Sequence, residues 1–234
     1  VTEGARLNIL LAIASPSDLQ APLFPIDSNA EILSLARALE PRIREGQVTL
    51  AVLAGSPQLS DETRRLLDSL KAELIGKATT AGAIAEALEG RHVLHLIAHG
   101  DFRKQPVLLL EDDAGARKPS DKDEILTRWS AAQPRLIFLQ SCRSDPEDRS
   151  WPAPGFGPLF VQRGAPAVVA MRDYVEMDAA REFAAAFYRA LLATGEVDVA
   201  ANAGRARIFR SKNGDWAIPV LYSRLRAGDR LWTP

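Results

Sequence analysis

The stretch Arg135-Leu136-Ile137-Phe138-Leu139-Gln140-Ser141-Cys142-Arg143-Ser144 opens as an apolar, β-prone run and stops on the only cysteine of the chain. An earlier run of the same build, Arg91-His92-Val93-Leu94-His95-Leu96-Ile97-Ala98-His99-Gly100, stops on a histidine and a glycine. Short continuous apolar runs bounded in this way read as strands buried on both faces of a parallel sheet. A thiol and an imidazole at the ends of two such strands point to cysteine-nucleophile chemistry. The thiolate attacks, and the imidazole generates it or protonates the leaving group.

The flanking sequence places these two runs in a longer alternation. Leu7 to Ala14 reads as a strand, followed by a loop with Pro16, Pro22 and Pro25 and a helix over Ala30–Glu45 that Pro41 should kink or end. Gln47–Leu53 reads as a second strand. Ser60 should cap a helix carrying Leu66, Leu67 and Leu70, and Leu74-Ile75 is a minor strand or turn. A helix over Ala81–Leu88 stopped by Gly90 leads into the His99 strand, and a hairpin is expected around Val107–Leu110 and Asp112–Gly115. Helices over Lys122–Ser130, Pro158–Arg163, Ala179–Leu192 (capped by Asp178) and Glu196–Phe209 follow, with strands at Ala167–Met171 and Trp216–Leu221. Strands alternating with helices imply βαβ crossovers and one three-layer domain, a mostly parallel sheet covered on both faces.

Composition narrows the function classes. With 29 basic against 30 acidic residues, there is no generalised basic field for nucleic acid, and no direct nucleic-acid binding is expected. A single cysteine makes no internal disulfide, which points to a reducing, cytoplasmic setting. The opening apolar run, Leu7 to Ala14, is too short to cross a bilayer and has no charged region before it, so neither membrane association nor a signal peptide is expected. The chain starts at Val1 rather than Met, which suggests a processed product or a domain of a longer protein.

Ligands of an open parallel sheet gather at the carboxyl ends of its strands, where His99 and Cys142 are expected. If the two strands are neighbours, their spacing of roughly 5 Å brings histidine and cysteine within reach. The amides of Gly100 and Cys142 would then supply two donors to an oxyanion. The alternative is plainer: a lone cysteine at a strand end is often a small buried hydrophobe. His95 reads as a core group or a support to the site. The spacing of His92, His95 and His99 invites zinc, but the strand context and the lack of a second cysteine argue against a metal, and no cofactor is expected. Asp145, Glu147 and Asp148 read as a solvated loop. A nucleotide-binding α/β domain is the weakest rival, because no glycine-rich phosphate loop follows any strand.

Gln140-Ser141-Cys142-Arg143-Ser144 resembles the caspase signature Q-A-C-R-G at Gln, Cys and Arg, with a histidine 43 residues upstream (99 against 142), near the separation of about 50 found there. Histidine before cysteine excludes a papain-like order. Further stretches resemble the CHAT domain family of caspase-like (clan CD) cysteine peptidases: His95 to Gly100, Leu139 to Cys142, Gly164 to Ala170, Asp178-Ala-Ala with Phe187 to Leu191, and Trp216 to Tyr222. The early Ile9-Leu10 strand and Glu31 after the proline-rich loop are similar too.

The resemblance spans essentially the whole chain, 1–234, as a single CHAT domain. It implies the caspase-like (caspase/hemoglobinase) three-layer fold with a six-stranded sheet, a His99/Cys142 dyad and cleavage of a protein or peptide substrate after a preferred P1 residue. It also implies control by a sensor module or partner protein, in bacterial defence or programmed death. A pseudo-protease that keeps the fold and binds a partner is the other outcome the family allows. In caspases the residue two before the cysteine lines the pocket floor, here Gln140. The chain departs from the family at Ala170 to Tyr174, where the family usually has Leu-Trp. P1 preference is therefore open: Arg172 would favour an acidic residue, Asp173 or Glu176 a basic one.

Overall fold

The computed structural model describes residues 6–55, 59–102, 105–129, 132, 134–141, 155–173, 175–211 and 214–233. The chain runs through β1 (Leu7–Ile13), α1 (Ser28–Arg44), β2 (Val48–Ala54), α2 (Asp61–Ser69), β3 (Glu73–Ile75) and α3 (Ala81–Ala87) to β4 (Val93–Ile97). Next come β5 (His99–Phe102), β6 (Pro106–Glu111), β7 (Arg117–Asp121), α4 (Lys122–Trp129) and β8 (Leu136–Gln140). α5 (Phe156–Gln162), β9 (Ala167–Met171), α6 (Met177–Thr194), α7 (Val197–Ser211), a 3-10 turn at Gly214–Ala217 and β10 (Pro219–Ser223) follow.

The main sheet has seven strands in the order β10-β9-β8-β4-β1-β2-β3, parallel except for the β9–β10 pair. Six were expected; the seventh is β3, whose three residues pair with β2 at the sheet edge. So short and exposed a strand carries no apolar pattern strong enough to set it apart from a turn. Side chains alternate strictly between two cores. Leu7, Ile9, Leu11 and Ile13 meet Ile32, Leu35 and Leu39 of α1 in a core that also holds Phe183, Phe187 and Tyr188 of α6. On the other face Leu10 and Ala12 share a core with Ile84 of α3, Trp129 of α4 and Phe160 of α5. Burial on both faces explains why these strands read as unbroken apolar runs.

Four local expectations are corrected. Helix α1 does not end at Pro41 but continues to Arg44: Pro41 sits in its last turns on the exposed side, where the missing N–H costs the helix a single hydrogen bond. Helix α6 starts earlier than expected, with Glu176 at its N-cap, and Asp178 turns to Arg181 instead of capping. Trp216 lies in the 3-10 turn, leaving the last strand to start at Pro219. His99 does not end β4: the strand stops at Ile97, and His99 opens β5, the first strand of a separate antiparallel sheet β5-β6-β7. Among the described residues no helix is long and apolar enough to cross a membrane.

The direction of winding reverses between β1 and β4. From β1 the chain moves out to β2 and β3, then returns to place β4 on the other side of β1 and continues to β8 and β9. Loops that leave adjacent strands in opposite directions open a crevice at the strands' carboxyl ends. The β1–α1 loop and the start of β5 border that crevice.

Candidate active site

His99 sits at the rim of the crevice, half-buried, just beyond the β4 ladder. β4 and β8 are direct parallel neighbours, with Ile97 opposite Gln140, and the Ala98 amide still donates to the Gln140 carbonyl at 3.4 Å. The strand ending on the histidine therefore runs beside the strand that leads into the cysteine. Cys142 itself lies outside the described residues, as do Arg143, Ser144 and the acidic trio Asp145, Glu147 and Asp148.

The imidazole of His99 is held from the far side of the crevice. Its Nε2 lies 2.8 Å from the backbone carbonyl oxygen of Phe24 in the β1–α1 loop. A carbonyl only accepts, so Nε2 carries the proton, and the tautomer this contact selects has its lone pair on Nδ1. An imidazole oriented by a third group is poised to take a proton through its other nitrogen. No residue type advertised this partner, because the contact is made by backbone; the Phe24 side chain is 71% exposed.

Gly100 is buried, pairs opposite Leu108, and lines a cleft of about 240 Å³ with Leu139, Ser141, Phe156, Arg172 and Tyr222. Of the three residues whose charge was to set P1 preference, Arg172 borders this cleft, and Arg172, Asp173 and Glu176 are all exposed. Glu176 serves as the N-cap residue of α6.

Gln140 is buried and faces the opposite side of the sheet, toward α1 and α6. Its Nε2 donates to Glu31 Oε2 at 3.1 Å, and its Oε1 accepts from His95 Nε2 at 3.3 Å. Glu31, in the first turn of α1, is only 3% exposed and receives Arg181 Nη1 on its other oxygen at 2.9 Å. The Arg181 guanidinium reaches outward to Asp178, which is on the surface. Burial is the strongest influence on the Glu31 carboxyl and raises its pKa, although the Arg181 and Gln140 hydrogen bonds pull the other way. In the sequence Glu31 had no role beyond its resemblance to the family, and Arg181 had none at all. These two lie 150 residues apart, and only the fold brings them together.

The three histidines go separate ways. His92 Nδ1 accepts from the Asn8 amide at 3.0 Å, while His95 is stacked on Phe138 in the core, ring centroids 4.3 Å apart. Its Nδ1 has no hydrogen-bond partner among the described residues, so it is a core group only half satisfied. Burial lowers the His95 pKa to about 4, with the Gln140 hydrogen bond opposing the shift. No cluster of three His, Cys, Asp or Glu with metal-binding geometry occurs among the described residues.

Comparison with curated proteins returned no match. Among solved structures, one described as pro-sf-caspase-1 is similar over 93% of this chain and 91% of its own, at 13% identity and a TM-score of 0.47. A model of the CHAT domain matches residues 2–227. That match covers nearly the whole chain, β1 to β10 and both strands that lead into the crevice, and the chain belongs to the CHAT domain family.

Proposed function

We propose that this CHAT domain is a cysteine endopeptidase with His99 as general base and acid and Cys142 as nucleophile. The observation that carries the reading is the imidazole of His99, fixed through Nε2 to the Phe24 carbonyl beside the strand that runs into Cys142. With Nε2 committed, Nδ1 accepts the thiol proton. The thiolate then attacks the carbonyl carbon of the scissile peptide, and the negative charge moves to its oxygen. We assign the amides of Gly100 and Cys142 to that oxyanion. Collapse of the adduct breaks the C–N bond, the departing amine takes the proton from His99, and water hydrolyses the thioester with His99 again as base.

The substrate is a protein or peptide, and no cofactor enters these steps. Control by a sensor module or partner protein, in a bacterial defence or programmed-death pathway, belongs to the proposal as an expectation drawn from the family. Cys142→Ala and His99→Ala should each abolish cleavage of a fluorogenic peptide library, with a fall of about 10²-fold or more, while leaving the thermal midpoint near that of the parent. Undiminished cleavage by Cys142→Ala would overturn the mechanism. A parent cysteine inert to peptidyl electrophiles, even with a partner present, would favour the non-catalytic interaction module.

A further inference from the structure

The network beneath the end of β8 has more charge than a structural tie needs. Glu31 is buried, and a carboxylate is costly to bury unless a cation accompanies it. The cation is Arg181, which also serves Asp178, and Asp27 adds a further negative charge close enough to influence Glu31. Two carboxylates, Glu31 and Asp178, thus share one guanidinium, with Asp27 close to Glu31. The Arg181 side chain is 22% exposed, whereas the Glu31 side chain it is bonded to is 2% exposed. On the inner side of Glu31 lies Gln140, whose amide is held between Glu31 and His95.

Gln140 stands two residues before the proposed nucleophile. Two residues of chain span at most about 7 Å, whatever their conformation. A side chain on the carbon next to the attacked carbonyl can span that distance if it is long. Resting on the peptidase reading above, we propose that Glu31 selects a basic residue, arginine before lysine, immediately before the scissile bond, and that Arg181 keeps its place in the free protein.

The exchange is chemically matched. A substrate guanidinium can take over the hydrogen bond that Arg181 Nη1 gives to Glu31 Oε1, and Arg181 can swing to Asp178, which is 89% exposed. An apolar side chain that displaced Arg181 would leave the buried carboxylate unpaired. An acidic one would add a fourth negative charge. Only a cation leaves every buried group satisfied.

Agmatine, a guanidinium compound with no scissile bond, tests the Glu31 site without requiring catalysis. Its binding is measured by calorimetry on the Cys142→Ala protein, alone and combined with Arg181→Gln or Glu31→Gln. Arg181→Gln should tighten agmatine at least tenfold by removing the competitor, and Glu31→Gln should weaken it at least tenfold. Because Arg181→Gln strands a buried charge and can fail to fold, Arg181→Lys provides a milder competitor and should tighten binding by a smaller factor. A positional scan of peptide substrates on the parent should favour arginine and lysine at P1, and Glu31→Gln should lose that preference. Agmatine affinity indifferent to Glu31, or cleavage after acidic or apolar residues, overturns the inference and leaves the peptidase reading intact. Glu31-dependent agmatine binding in a parent that cleaves nothing would instead reject the peptidase reading while supporting a cation site at Glu31.

Discussion

His95 should make this protein acid-sensitive. The ring is buried among Phe138, Tyr188 and Gln140, with Glu31 and Arg181 beyond the glutamine, and its pKa is lowered to about 4. In the unfolded chain it returns to about 6.5. Between those values the unfolded state binds the extra proton and the native state does not, so stability is fully present above about pH 6.5 and is lost as pH falls. The loss attributable to His95 is about 2 kcal/mol at pH 5 and about 3 kcal/mol at pH 4. Phenylalanine keeps the stacking and removes the titration. At pH 7, His95→Phe should cost about 0.5–1.5 kcal/mol for the bond to Gln140, less any gain from removing the unpaired Nδ1. Urea unfolding followed by circular dichroism from pH 7 to pH 4.5 should therefore show the variant overtaking the parent on the acid side. Glu31, whose pKa is raised, contributes with the opposite sign, its stabilisation fading as pH rises through the carboxylate range, but both proteins carry it and the difference largely cancels it. A stability difference that stays flat across that range would refute the neutral buried histidine.

Two further substitutions test how the scaffold presents the crevice. Glu111, at the end of β6, accepts the Ser15 amide at 2.9 Å and the Thr79 amide at 2.7 Å, and so anchors the hairpin sheet that begins at His99 to the main sheet. Glu111→Ala strands both amides and should cost about 2–5 kcal/mol in urea unfolding; a loss below about 1 kcal/mol would contradict this anchoring role. Gly204 of α7 is pressed against Phe183 of α6, where an added Cβ would come within 2.6 Å of the ring. Gly204→Ala should destabilise by about 1–3 kcal/mol through overpacking, visible as a lowered urea midpoint, and an unchanged or raised midpoint would show that the two helices can separate freely.

What the sequence made legible depends on how each feature is encoded. Val93–Ile97 and Leu136–Gln140 are buried on both faces and carry their strand identity in every residue, so their existence and type were readable. Their adjacency was only a condition of the sequence reading, and the pairing of β4 with β8 supplies it. β7 was readable only as the return arm of the hairpin expected at Asp112–Gly115, because Arg117-Lys118-Pro119-Ser120-Asp121 has no apolar alternation of its own and its bounds are set by pairing with β6. The break at Ala98 was missed for a related reason. A strand that leaves one sheet and opens another looks, in sequence, like a strand that simply ends, and only the partner Leu109 opposite His99 distinguishes them.

The same distinction holds at the crevice, where topology rather than residue type supplies the missing parts. Because winding reverses between β1 and β4, the β1–α1 loop and the first turn of α1 face the ends of β4 and β8. Phe24 contributes a carbonyl to His99 from that loop, and Glu31 contributes a carboxylate to Gln140 from that turn. Neither contact could be found by scanning for a motif around the cysteine, since one partner is backbone and the other lies 109 residues from Gln140. Both follow once the strand order is known, for any group aimed at the strand ends must come from the two loops that diverge there. The short segment around Cys142 therefore supplies the chemistry of the reading, whereas the contact that orients His99 and the proposed charge selectivity come from the N-terminal forty residues or so, which hold β1, its loop and most of α1.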